Sequence, residues 1–421
     1  MTVLALLGIL VTAAAVFGWV CARWLKLPST LGTMVLTAVV SVTLLVIEPW
    51  APQLKAWASV LAQRTNFEAL ILHGMLATLL FAAGFLVDIK QLAREKLAVG
   101  LLALGATLLS MAGVAWGTHF VTALMGLPVS WLECVIFGAL ISPTDPIAVL
   151  EMLRRVGAPE RLQARLAGES LFNDGVGAVI FLALLELARG EHVTPYHLVG
   201  LLVVGAGGGL LLGVVLAWCA SEMMRRVHEY HIEILLTLSL AGGGYALAEK
   251  IHLSAPLFAV AAGLSMRYWN ERHEYHEISH LELDHFWKAM DEIQNAVLFV
   301  LLGLELLVIP VGWVVAGRGV IAIVIVNLVR AGAVALMLGL LRLLQPEQGG
   351  SVGLLTLGGL RGGLSLALAL SIPVSLGWTW IAPTTYMVVL FSLVVQGGVM
   401  DLFLRKYGRR RGKAVAMRKA A

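Results

Sequence analysis

The run Ile141-Ser142-Pro143-Thr144-Asp145-Pro146-Ile147 lies in the middle of an otherwise apolar stretch, residues 131–151. Two prolines three positions apart prevent a continuous helix, because each lacks a backbone N–H and its ring clashes with the preceding turn. The residue before each proline is pushed toward extended geometry. Carbonyls are thereby freed inside an apolar segment, which a bilayer tolerates only where protein or a wet cavity covers them. Thr144 and Asp145 stand at that break and offer oxygen to a hard cation. A plain proline kink would account for the prolines but not for the aspartate, so the break reads as an ion site.

Outward from this stretch the chain stays apolar. Of 421 residues, 59% are hydrophobic and 13% charged, against about 25% charged in a soluble domain. That excludes soluble, nucleic-acid-binding and disordered folds; the expected class is an all-α polytopic membrane protein. Cys21, Cys134 and Cys219 are too far apart for a metal site or a disulfide framework. The first apolar run follows Met1 directly and Arg23 and Lys26 come after it. A secretory signal has the reverse charge order, so this run reads as a retained span.

At about 20 residues per crossing, the apolar runs predict about 13 spans: 2–22, 29–47, 67–87, 97–124, 131–151, 168–188, 197–221, 231–249, 254–268, 293–312, 316–344, 351–376 and 380–404. Lys and Arg accumulate on the cytoplasmic side. With the N-terminus outside, 23 of the 30 basic residues fall on the cytoplasmic side and 5 outside, leaving Arg330 and Arg361 within spans. The expected arrangement is one transmembrane domain, 1–404, in the cell (inner) membrane, and a basic cytoplasmic tail, 405–421. The longest polar gap, roughly 267–292, reads as a connector. Its His273, His276, His280 and His285 read as a solvated amphipathic face rather than a pH sensor.

The second polar run is Gly168-Glu169-Ser170-Leu171-Phe172-Asn173-Asp174-Gly175 in span six. On a helix, Glu169 and Asn173 form one column, and Ser170 and Asp174 the column beside it. Charges at membrane depth are costly and ordinarily mark a partner or an ion path. Arg330 in span eleven and the glycine-flanked Arg361 in span twelve are the available countercharges, each with Glu169 or Asp145 as a candidate partner. Spans five and twelve are both interrupted, seven spans apart, so equivalent helices point in opposite directions. The expectation is two inverted six-helix repeats, approximately 1–188 and 231–404, with crossed discontinuous helices and a linker helix near 197–221.

With these motifs in this order, the sequence resembles the monovalent cation:proton antiporters, specifically the bacterial sodium/proton exchangers with an Asn-Asp motif (NhaP-like). The resemblance implies that Asp174 binds cation and proton alternately, with Thr144, Ser170 and, through water, Asp145 as further oxygen ligands. Sodium would touch Asp174, Thr144 and Ser170. It implies that Asn173 goes with electroneutral exchange, that Glu169 and Arg361 form the buried pair holding Asn173, and that Arg330 is a second structural arginine. It also implies a homodimer and no cofactor beyond the transported ions. One departure stands out: some relatives carry a glutamate in span three, where Leu80–Phe85 here reads alanine.

A single carboxylate for which proton and sodium compete makes exchange obligatory if the empty, charged site is disfavoured in the crossing step. Potassium/proton exchange is the nearest alternative. An intramembrane hydrolase would need a histidine tied to Ser170, and a channel gives no reason for two broken helices. Neither His228–His231 nor His273–Glu277 has the His-Glu-x-x-His spacing of a zinc hydrolase. The chain is therefore read as a transporter and not an enzyme, with monovalent cations, protons and membrane lipid, but no nucleic acid, as its partners.

Overall fold

The computed structural model describes residues 3–25, 29–50, 52–53, 74–127, 129–190, 195–227, 229–272, 277–309, 312–345 and 351–404. The basic stretch 405–421 lies outside these residues, as do His273 and His276 of the connector. The principal helices are α1 (Val3–Val20), α2 (Ser29–Ile47), α3 (Leu76–Leu86), α4 (Thr107–Leu124), α5 (Trp131–Ile141), α6 (Ile147–Arg155), α7 (Glu160–Ala188) and α8 (Pro195–Met224). They continue with α9 (Tyr230–Leu238), α10 (Ala255–Arg272), α11 (Glu277–Glu305), α12 (Trp313–Leu344), α13 (Val352–Gly358), α14 (Gly363–Leu370) and α15 (Ile381–Phe391). Among the described residues the chain is helical with no strand.

Helix overlaps each of the thirteen expected spans, yet length and hydropathy qualify 7 described helices as membrane-crossing, or 8 when α13 and α14 are joined across their 48° bend. The difference has local causes. Span three is described only from residue 74, and span five is halved by its proline break. Two helices also start earlier than hydropathy predicts. α7 begins at Glu160 because Arg161 and Arg165, one turn apart, both reach the fully buried Glu95 at 2.8 and 2.7 Å. α11 begins at Glu277 and absorbs much of the polar connector. There Trp287 is fully buried, 4.7 Å from the Phe81 ring, and donates its Nε1–H to Thr237 Oγ1 at 3.2 Å.

Three buried clusters result: a large one joining Val149 of α6, Leu302 of α11, Val334 of α12 and Leu366 of α14, and two smaller ones. The first of these gathers Val114 of α4, Phe137 and Leu140 of α5, Phe181 of α7, Val326 of α12 and Ile381 of α15. The second gathers Phe81 and Phe85 of α3, Ala217 of α8, Phe258 of α10 and Trp287 of α11. In this second core, glycine lets backbones touch. A Cβ on Gly84 of α3 would stand 2.8 Å from Val260 O, and one on Gly213 of α8 would stand 2.6 Å from Phe258 O. α8 and α12 turn Val203, Leu211, Trp218, Leu328 and Leu336 outward, a surface stable against lipid rather than water.

Candidate functional site

The two breaks meet. α5 stops at Ser142, whose Oγ donates to Gly138 O at 2.7 Å, and α6 resumes after Pro146. Asp145 serves this junction twice: its Oδ1 accepts from Ile147 N at 3.0 Å, and its own N–H donates to Leu360 O at 2.7 Å. Leu360 belongs to the second break, Gly359–Gly362, between α13 and α14. A backbone hydrogen bond thus joins the interrupted segments. Gly362 permits the approach: a Cβ there would press on the Asp145 carboxylate, with Cγ at 2.9 Å.

Helix interruption frees carbonyls, and buried carbonyls need donors. Arg361 supplies them. Its Nη1 donates to Ser142 O and, at 2.8 Å, to Pro143 O, while its backbone N–H donates to Ser392 Oγ at 3.0 Å. Gln396 closes the end of α13, donating Nε2 to Thr356 O and Leu357 O at 3.2 and 3.1 Å. The sequence reading overlooked Ser392 and Gln396, although two polar residues at i, i+4 in an apolar span were a signal.

The polar run of α7 packs against the first break. Asn173, fully buried, donates Nδ2 to Thr144 Oγ1 at 2.8 Å and accepts from Thr144 N at 3.3 Å. Glu169 takes a different partner from the one the family resemblance implies. Arg330, not Arg361, brings Nη1 to 2.5 Å from Glu169 Oε1, with the two side chains 2% and 1% exposed. The reason is geometric: Arg361 sits in a break, where the freed carbonyls claim its guanidinium, whereas Arg330 projects from the continuous α12. Arg330 Nη2 also donates to Leu355 O at 3.3 Å, and Gly359 leaves room for it.

A cavity of about 790 Å³ ends against this junction. Thr144, Asp145, Ser170 and Asp174 line it, and Ser365 of α14 joins them. Glu169, Asn173, Arg330 and Arg361 are buried to within 2% and do not reach the cavity. The wall from α3 is apolar, with Leu76, Leu79, Leu80 and Ala83. The lining from α11 holds Asp291, at the end of the expected connector, and Asn295, near the start of expected span ten. His285, exposed on α11, also borders the cavity. Among the described residues no group of three or more His, Cys, Asp or Glu is arranged to hold a metal ion. The floor instead offers mixed carboxylate and hydroxyl oxygens, a set suited to a weakly held, exchangeable hard cation.

Oxygen ligands at the meeting point of two broken helices, facing a cavity at membrane depth, define a secondary transporter of a small cation. The chain belongs to the transmembrane sodium/hydrogen exchanger family, whose model matches residues 10–406. It is 38% identical over 381 residues to the Na(+)/H(+) antiporter NhaP of Pseudomonas aeruginosa, covering 89% of this chain and 90% of that one. It is 31% identical over 420 residues to the Na(+)/H(+) antiporter NhaH of Halobacillus aidingensis, covering 96% and 97%. The structure of the sodium proton antiporter MjNhaP1 from Methanocaldococcus jannaschii at pH 8 matches with a TM-score of 0.71, over 96% of this chain and 99% of that one. At 21% identity that likeness is one of fold.

Proposed function

We propose that this chain exchanges sodium, and with it lithium, for protons across the cell (inner) membrane, with Asp174 holding cation and proton in turn. The observation that carries the reading is the division of labour at the junction. Thr144, Asp145, Ser170 and Asp174 face the cavity, while Glu169, Asn173, Arg330 and Arg361 stay behind it. On this reading sodium binds Asp174, Thr144 and Ser170, and Asp145 contributes through water. Asn173 adds no charge beside Asp174, so one proton moves against one cation and exchange is electroneutral. No cofactor and no enzymatic step is required.

The cavity mouth carries Arg154, Arg155 and Lys288, which by the positive-inside tendency makes it cytoplasmic. The N-terminus is then outside and the 405–421 tail inside. The two joined breaks support inverted repeats over about 1–188 and 231–404, linked by a helix near 197–221, in a protein that works as a homodimer. Purified protein in liposomes with an imposed pH gradient tests the function. Sodium or lithium should move protons, followed by a pH-sensitive dye, and Asp174→Asn should abolish the response. A larger response to potassium would keep the mechanism and change the cargo. Cation-driven exchange that persists in Asp174→Asn would overturn the role of Asp174.

A further inference from the structure

α11 brings into the cavity two polar side chains that the exchange step above does not use. Asp291 and Asn295 both line it and, four residues apart, share one face of the helix. Asn295 donates Nδ2 to Asp291 O at 2.8 Å and to Asp291 Oδ1 at 3.0 Å. Among the described residues its own Oδ1 has no hydrogen-bond partner, although the residue is only 1% exposed. Buried amide oxygens are ordinarily satisfied. An acceptor of this kind beside a carboxylate that keeps a second oxygen for other contacts is half of a cation coordination sphere, hard oxygens of mixed charge.

The charges around the cavity point the same way. At its rim Glu151, Asp284 and Glu292 are matched by Arg154, Arg155 and Lys288. Two of those acids are already engaged, Glu151 with Arg155 at 2.6 Å and Asp284 with Arg267 at 2.7 Å. Deeper in, the balance turns negative. Asp291 is within electrostatic reach of Asp145 and Glu292, with Arg154 as the opposing cation, and Asp145 is in turn within reach of Asp174. Three carboxylates, Asp291, Asp145 and Asp174, thus stand in electrostatic series along the cavity.

We infer that Asp291 and Asn295 form a second, weaker cation site on the cavity wall, a waiting position from which a partly dehydrated monovalent cation passes to Asp145 and Asp174. This rests on the antiport reading above. Asp291→Asn and Asn295→Leu are each expected to raise the half-saturating sodium concentration about tenfold, equivalent to about 1.4 kcal/mol, on the face where the cavity opens. On the opposite face the change should stay below about twofold. Inside-out and right-side-out vesicles separate the two faces. Equal shifts on both faces, or none on either, would overturn the waiting site while exchange by the parent protein upholds the function. A parent protein inactive beside an active control exchanger would instead refute the antiport reading itself. A second measurement does not depend on transport. In crystals of Asp174→Asn soaked with thallium(I), anomalous density is expected between Asp291 and Asn295, and density confined to other positions would refute the site.

Discussion

Replacing Arg330 by methionine would leave Glu169 as a carboxylate 1% exposed without its countercharge, since the ion pair at 2.5 Å is made by Arg330 Nη1. Arg361 is within electrostatic reach of Glu169 but is held on Ser142 O and Pro143 O, so it is not free to replace the contact pair. Breaking a buried pair by removing one partner costs about 3–5 kcal/mol. With about 2.1 cal/mol/K of unfolding entropy per residue, a chain of 421 residues loses about 1 °C of Tm per kcal/mol. Arg330→Met is therefore expected to lower Tm by about 3–5 °C, followed by tryptophan fluorescence of the purified protein in detergent. Combining it with Glu169→Gln removes the stranded charge, so the double variant should recover about half of that loss. The recovery is the informative part. Were Arg361 the partner of Glu169, as the family resemblance implies, Arg330→Met would leave the pair intact and the second substitution would add damage. A double variant no more stable than Arg330→Met would refute the Glu169–Arg330 assignment.

Three further outcomes follow from the junction. Gly362→Ala should displace the Asp145 carboxylate, whose Cγ would lie 2.9 Å from the new Cβ, and lower sodium-driven exchange at least about tenfold without changing elution from a sizing column; full exchange would show that the position of Asp145 is not critical. Asn173→Asp deletes the amide that donates to Thr144 Oγ1 at 2.8 Å and sets a second carboxylate beside Asp174, so exchange should begin to move net charge, read with a potential-sensitive dye. A dye signal matching the parent's would count against Asn173 as the determinant of electroneutrality. Because proton and cation compete for one carboxylate, half-saturating sodium should climb about tenfold for each unit the pH falls once the proton-bound form predominates. A half-saturation that ignores pH would dismiss single-site competition.

The breaks were legible because their causes are local. Pro143 and Pro146 forbid helix through their own rings, and the glycines around Arg361 weaken it through their missing side chains; both interruptions fall where the sequence places them, at Ser142–Pro146 and Gly359–Gly362. The two adjacent columns, Glu169 with Asn173 and Ser170 with Asp174, were likewise readable from helical spacing. Helix starts were less so. Hydropathy places the start of α7 near 168 and that of span ten near 293, because it weighs each residue against lipid. It does not register that Glu95 collects Arg161 and Arg165, or that Trp287 and Leu283 bury themselves in the second core. Asp291 consequently read as the end of a solvated connector and Asn295 as the start of span ten.

Composition and local backbone chemistry alone thus determined that this chain is a helical membrane protein with two broken spans and charged residues at membrane depth, because hydropathy and φ restriction are properties of a residue and its immediate neighbours. Only the tertiary structure decided who meets whom: Arg330 rather than Arg361 on Glu169, Arg361 on the carbonyls freed by the prolines, Asp145 N–H on Leu360 O, and Asp291 with Asn295 on the cavity wall. Those partnerships join residues as much as 219 positions apart. They depend on which helix faces which across the core, and no local rule carries that information.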